Sequence, residues 1–159
     1  MSSQGLLTVR REMTVDGVLD AELDALFDEG MSWDAEQGQQ FLGHPDTLLL
    51  VARWDGKACG FLSAYRLQRF DRRGAEALLY EIGVAEPFQR RGVGRALVEE
   101  AKQWAKDVGA GELWVLTEDD NAPARALYAA TGGQDESGLT MFTYGLESCL
   151  RVRHRSDQR

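Results

Sequence analysis

The chain has 159 residues, 43% of them hydrophobic and 28% charged, which is one domain of an ordinary soluble globular protein. No apolar run approaches the roughly 20 residues of a membrane span, and Met1 to Gln4 opens no basic-then-apolar leader, so neither a membrane span nor secretion is expected and a cytoplasmic location is. Lys and Arg number 18 against 26 Asp and Glu, a net charge of −8, which argues against a nucleic-acid partner and favours a cationic ligand. Leu6 to Arg10 predicts a short strand. Val18, Leu19, Leu23, Leu26 and Phe27 mark one face of a helix over Thr14 to Asp28, and a second short helix is expected over Ser32 to Leu42. The Leu- and Val-rich run Thr47 to Trp54 reads as a buried strand, and Asp55-Gly56 is a hairpin turn leading into a strand over Lys57 to Leu67. A polar loop, Gln68 to Gly74, precedes a strand over Ala77 to Val84 that Pro87 closes.

The clearest helix is predicted over Gly92 to Val108. Val93, Leu97, Ala101, Trp104 and Val108 form its apolar stripe, Glu99, Glu100, Lys102 and Lys106 lie off it, and Gly109 and Gly111 end it. Glu112 to Thr117 reads as a short strand. Asn121 is a good N-cap with Pro123 in the first turn, and the helix it opens stops at Gly132-Gly133. Leu139 to Leu146 is expected to supply a last strand or hairpin. The order β-αα-βββ-α-β-α-β(β) is mixed α/β, and the strand-helix-strand from Ala77 to Thr117 implies a central parallel pair. A single domain over residues 1–149 and a basic, flexible tail over 150–159 are expected. Residues 151–159 hold four Arg and one Asp, so residues 1–150 carry −11. Cys59 and Cys149 lie in no CxxC setting and read as reduced thiols, and with only His44 and His154 as imidazoles no metal site is expected.

The segment that carries chemistry runs from Leu79 to Leu97. A strand ending at Val84 enters a turn, then Gln89-Arg90-Arg91-Gly92-Val93-Gly94-Arg95 opens the long helix, so unpaired N–H groups and the helix dipole face an anion there. Gly92 and Gly94 let the main chain approach phosphate oxygens, and Arg90, Arg91 and Arg95 concentrate positive charge in an acidic chain. A Walker A loop is absent, and a dinucleotide GxGxxG would meet Leu97 where its third Gly or Ala belongs. The plain alternative is a glycine-containing turn that begins a surface helix with solvated arginines.

Gln89-x-x-Gly92-x-Gly94 after this strand resembles the acyl-CoA pyrophosphate motif of the GNAT superfamily of N-acyltransferases. Asn121-x-x-Ala124-x-x-Leu127-Tyr128-x-x-x-Gly132 resembles its second cofactor motif, and the two together cover residues 78 to 133. Within the superfamily, Ala64-Tyr65-x-Leu67-x-x-Phe70 followed by Glu81-Ile82-Gly83-Val84 and Arg90-Arg91-x-Gly94 looks most like aminoglycoside 3-N-acetyltransferases. The resemblance implies the GNAT fold, acetyl-CoA as acetyl donor, direct acetylation of an amine of a cationic antibiotic with resistance as the consequence, no metal, no nucleic-acid or membrane partner, and a homodimer.

It also implies roles. The pantetheine arm would lie along Ile82, Gly83 and Val84 like an added strand, and Gln89, Arg90, Arg91, Gly92, Val93, Gly94 and Arg95 would hold the pyrophosphate through main-chain N–H groups. Asn121 would bond the arm from the facing side, with Ala124 permitting close approach; the N-cap role alone is equally sufficient for Asn121. An alkyl ammonium has a pKa near ~10 and must lose a proton before it attacks a thioester, which calls for a base. Glu81 is the candidate, since alternation with Tyr80 and Ile82 lets its carboxylate point to the substrate face; the alternative is a solvated strand Glu. Tyr128 matches the family's acid for the leaving thiolate, or simply packs. Asp34, Glu36, Glu118, Asp119 and Asp120 are candidates to attract a cationic acceptor, or are solvated loop carboxylates. The same motifs would serve a polyamine, amino acid or protein amine, and a noncatalytic acyl-CoA-binding module would keep Gln89 to Arg95 without needing Glu81 or Tyr128.

Overall fold

The computed structural model describes residues 5–26, 33–136 and 138–146. Strand β1 (Leu7–Arg11) is followed by helices α1 (Gly17–Leu26) and α2 (Ala35–Gly43), then by strands β2 (Thr47–Trp54), β3 (Lys57–Gln68) and β4 (Ala75–Val84). A short 3₁₀ turn (Glu86–Phe88) leads to α3 (Val93–Asp107), β5 (Ala110–Val115) and α4 (Ala122–Ala130). The five strands form one sheet in the order β1-β2-β3-β4-β5, antiparallel except for the parallel β4–β5 pair that the sequence order implied.

Local chemistry sets the boundaries. Asp55 and Gly56 adopt φ of 50° and 81°, the left-handed pair that a two-residue hairpin requires, and Trp54 pairs with Lys57 across it. Helix α1 begins at Gly17 rather than near Thr14 because the Asp16 carboxylate accepts the Val18 and Leu19 N–H groups at 3.0 and 2.8 Å. Asp34 does the same for α2, accepting the Gln37 N–H at 3.0 Å, and so the helix starts at Ala35. The first helix's expected end, Phe27 and Asp28, and the second's expected start, Ser32, lie outside the described residues.

The sheet is covered on both sides. Leu49, Val51 and Phe61 pack with Leu19, Leu23 and Leu42 of α1 and α2. On the other side Leu48, Leu50, Leu62, Ala64, Ala77 and Leu79 meet Val93, Leu97, Ala101 and Trp104 of α3. Strand β2 is therefore buried on both faces, which its unbroken Leu-Leu-Leu-Val-Ala run anticipates. Arg53 of β2 pairs with Glu22 of α1 at 2.6 Å and with Glu12, just after β1, at 2.7 Å. Leu97 is fully buried where α3 crosses the sheet. Leu97→Ala is expected to destabilise the fold by about 2–5 kcal/mol in urea unfolding, since the rigid strands around it cannot close the cavity.

The expected last strand does not form. Residues 139–146 lie outside any strand and Leu139, Met141, Phe142, Tyr144 and Leu146 are exposed. Their apolar pattern changes phase between Met141 and Phe142, so a single strand would place apolar side chains on both faces. Cys59 is a buried free thiol, and Cys149 lies outside the described residues. Among the described residues no helix is long and apolar enough to cross a membrane, and no cluster of His, Cys, Asp and Glu is suited to a metal ion.

Candidate active site

Strands β4 and β5 are paired only as far as Leu79 and Val115. Beyond that point Glu81 to Val84 keep β3 as partner, and Tyr80 to Val84 have none on the β5 side among the described residues. The main-chain groups on that side form a short free edge inside the molecule, able to take an extended ligand as an added strand. Ile82 and Val84 pack toward α3, half-buried. Gly83 is needed for a different reason: a Cβ there would lie 2.7 Å from the Phe61 ring.

A bulge in β4 falls at this same point. Ser63 is opposite Glu81 and Ala64 is opposite Leu79, which leaves Tyr80 as the extra residue. Since Leu79 and Ile82 both pack on the α3 side, the two residues between them, Tyr80 and Glu81, both project to the α1/α2 side. Simple alternation placed Tyr80 and Glu81 on opposite faces; the bulge puts both on the α1/α2 side. The Tyr80 ring meets Tyr65 edge to face at 5.5 Å, and Tyr65 meets Phe41 of α2 in the same way at 5.5 Å. Burial first, then the neighbouring Tyr80 and Glu81, push the Tyr65 phenol above its ordinary pKa. Opposite Glu81, the Ser63 hydroxyl is buried with no protein partner, a polar atom that calls for a water or ligand group.

The glycine spacing suggested an anion cradle at the α3 N-terminus, and the helix there begins without a side-chain cap. Gly92 caps it at φ 86° with no side-chain cap, so the first-turn N–H groups of Val93, Gly94 and Arg95 stay available. Arg90 also adopts a left-handed φ, 61°, and turns of this kind gather N–H groups into anion-binding concavities. Gly94 approaches α4 so closely that a Cβ would lie 3.1 Å from Leu127. Gly92→Ala meets no atom within 4 Å but must hold the left-handed φ, and its expected cost is about 1–2 kcal/mol by urea unfolding.

Gln89 and Arg91 make contacts within the protein. The Gln89 N–H donates to Glu86 O at 3.2 Å and its side-chain amide to Val84 O at 3.0 Å, so this residue fastens the turn to β4 and has no main-chain N–H left for phosphate. The Arg91 guanidinium lies over Trp54 and Phe88, 5.8 and 6.0 Å from the ring centroids. Arg90 and Arg95 are exposed and form no ion pair among the described residues.

Across the gap, Asn121 caps α4 by accepting the Ala124 N–H at 3.2 Å, and its side-chain NH₂ makes no hydrogen bond among the described residues. The cap and a ligand contact are therefore compatible. Tyr128 packs half-buried against the α3-side core and lines a cavity of about 270 Å³ together with Leu79, Val115 and Lys102. Burial pushes its phenol pKa up, so it holds its proton at neutral pH. Glu81 and Tyr128 thus sit on opposite faces of the sheet, beside the end of the β4–β5 pairing.

The acidic candidates are less organised. Glu118, Asp119 and Asp120 are exposed in the loop before α4, with main-chain carbonyls engaged by Asn121, Arg125 and Ala122. Asp34 caps α2, and Glu36 is exposed in its first turn. Sequence reasoning missed Tyr80, Ser63 and the Trp54–Phe88 seat of Arg91. The extra residue between Leu79 and Ile82 depends on the register against β3, and no local pattern announces it.

A parallel pair that opens beside an uncapped glycine-rich helix N-terminus leaves room for an extended ligand with an anionic end. The family model described as the Acetyltransferase (GNAT) family matches residues 15–132, and the chain belongs to that family. It is 28% identical over 137 residues to streptothricin acetyltransferase of Streptomyces lavendulae, covering 77% of this chain and 70% of that protein. The crystal structure of an aminoglycoside acetyltransferase from an uncultured soil metagenomic sample, in complex with trehalose, superposes with a TM-score of 0.79 at 25% identity, over 89% of this chain and 97% of that one. Aminoglycoside N-acetyltransferase AAC(6')-Iy, in complex with CoA, shares the fold at a TM-score of 0.72 and 20% identity, over 88% and 95% of the two chains. The protein is an N-acetyltransferase with the α/β fold of this family.

Proposed function

We propose that the protein transfers the acetyl group of acetyl-CoA directly to an amine of an aminoglycoside, at the 3-N position, and so protects its host from the drug. The observation that carries the reading is the β4 bulge, which puts Glu81 on the α1/α2 side of the sheet where β4 and β5 part. The residues fit acetyl-CoA: a free strand edge for the pantetheine, first-turn N–H groups with Arg90 and Arg95 for the phosphates, and the Asn121 amide on the facing side. Bound there, acetyl-CoA supplies an activated thioester.

Glu81 takes the proton from the acceptor ammonium, so that a free amine can attack. Tyr128, its proton retained through burial, donates to the departing sulfur. Direct transfer suits the thiols as well. Cys59 is fully buried, and burial raises its pKa, so among the described residues no activated thiol stands at the gap. Asp34, Glu36, Glu118, Asp119 and Asp120 attract the polycationic acceptor at longer range, a steering effect that weakens with salt.

The kinship with a streptothricin enzyme and an aminoglycoside enzyme supports a cationic antibiotic as acceptor. The 3-N position rests on the sequence resemblance, since the 6'-N neighbour shares the fold alone. The test follows free thiol with acetyl-CoA and gentamicin, sisomicin, spermidine or an N-terminal peptide amine, and locates the acetyl group by NMR. Turnover with the aminoglycosides, acetylated at 3-N, and a raised inhibitory concentration in cells expressing the chain are expected. Turnover confined to spermidine or peptide would replace the acceptor class, and acetylation at another amine would replace the regiochemistry.

A further inference from the structure

The bulge does more than aim Glu81. It brings Tyr80 to the same side of the sheet and leaves its side chain 60% exposed, an unusual position for a large aromatic residue in the middle of a sheet. The ring is not loose. Tyr65 abuts it edge to face at an interplanar angle of 88°, and Phe41 buttresses Tyr65 at 90°, so three rings from β4, β3 and α2 form a braced row ending at Tyr80. The residue after Tyr80 is Glu81, on the same side of the sheet. A rigid, exposed aromatic ring beside a carboxylate is the pairing that attracts an alkylammonium. The ring quadrupole and the negative charge both favour a cation, and neither favours a neutral group of the same shape.

We propose that Tyr80, held by Tyr65 and Phe41, is the specificity-determining residue that seats the acceptor's ammonium beside Glu81 through a cation–π contact. This rests on the acetyl-transfer reading for its biological acceptor but not for its binding chemistry. The seat selects for charge before chemistry begins: a protonated amine docks, and Glu81 then deprotonates it. Tyr80 acts on acceptor binding, whereas Glu81 acts on the chemical step.

The test uses the full chain with two probes that cannot be acetylated on nitrogen, choline and its neutral carbon isostere dimethylbutanol, titrated by NMR, alongside steady-state kinetics with sisomicin. Choline is expected to bind about tenfold more tightly than dimethylbutanol, Tyr80→Leu to weaken choline by about 5–30-fold, and Tyr80→Phe, which keeps the ring, to stay within about twofold of wild type. With sisomicin, Tyr80→Leu should raise KM by a similar factor with CoA affinity unchanged. Equal affinity for choline and dimethylbutanol, or a Tyr80→Phe loss as large as that of Tyr80→Leu, overturns the proposal. The wild-type probe pair and the conservative variant decide the matter even if the leucine variant does not fold. Choline discrimination that depends on Tyr80 without acetylation of any acceptor would sink the catalytic reading and leave the cation seat standing.

Discussion

Glu81→Gln is expected to lower kcat by about 10²–10⁴-fold, the usual range for loss of a positioned base, while the affinity for CoA stays at its wild-type value. Glutamine keeps the size and shape of the side chain, and Glu81 lies half-buried on the sheet opposite Ser63, so the bulge and the β4 edge are preserved. Only the capacity to take a proton is lost. The variant's remaining rate should climb as pH rises toward the acceptor amine's own pKa, near ~10, because solvent then does what the carboxylate did. Free-thiol kinetics across pH, paired with calorimetric titration of CoA, measure both quantities. A variant with normal turnover would return Glu81 to an ordinary strand residue.

Tyr128→Phe should cost about 10²-fold in kcat, with little change in KM for either substrate. The ring remains to pack against Leu79 and the α3-side core, and only the hydroxyl is removed. Because burial raises the phenol's pKa, wild-type activity that depends on the protonated form persists through neutral and mildly alkaline pH and declines only as pH climbs through the raised value. The phenylalanine variant should lack that alkaline decline. The same shift has a stability consequence with a fixed sign: the unfolded tyrosine ionises first, near ~10, so its contribution is full below that pH and is lost as pH rises through the folded value. A kcat–pH profile of the two proteins, with urea unfolding at alkaline pH, checks both.

Much of this architecture was legible because it is written locally. Val93, Leu97, Ala101 and Trp104 recur at helical spacing and all are buried against the sheet, and Gly92 stands where the left-handed cap is needed. The Asp55-Gly56 hairpin and the Asn121 cap were equally plain. What escaped notice was written between segments. The bulge at Tyr80 exists only in the register of β4 against β3, and the packing of Arg91 on Trp54 joins residues from the helix turn and the far end of β2. Leu139 to Leu146 misled for the opposite reason. Apolar and β-favouring residues are present, but their phase breaks, and residues 139–146 join no strand. The strand-turn-helix proposed to hold the cofactor was therefore legible in one local segment, whereas the proposed acceptor side is assembled from β3, β4 and α2.

The account is tested most directly by mass spectrometry of sisomicin incubated with the protein and acetyl-CoA, with Glu81→Gln alongside. The predicted result is sisomicin carrying a single added acetyl group with wild type, formed at a rate lower by about 10²–10⁴-fold with the variant. Unmodified sisomicin from a wild-type protein that binds CoA, or equal product from the two proteins, would contradict it.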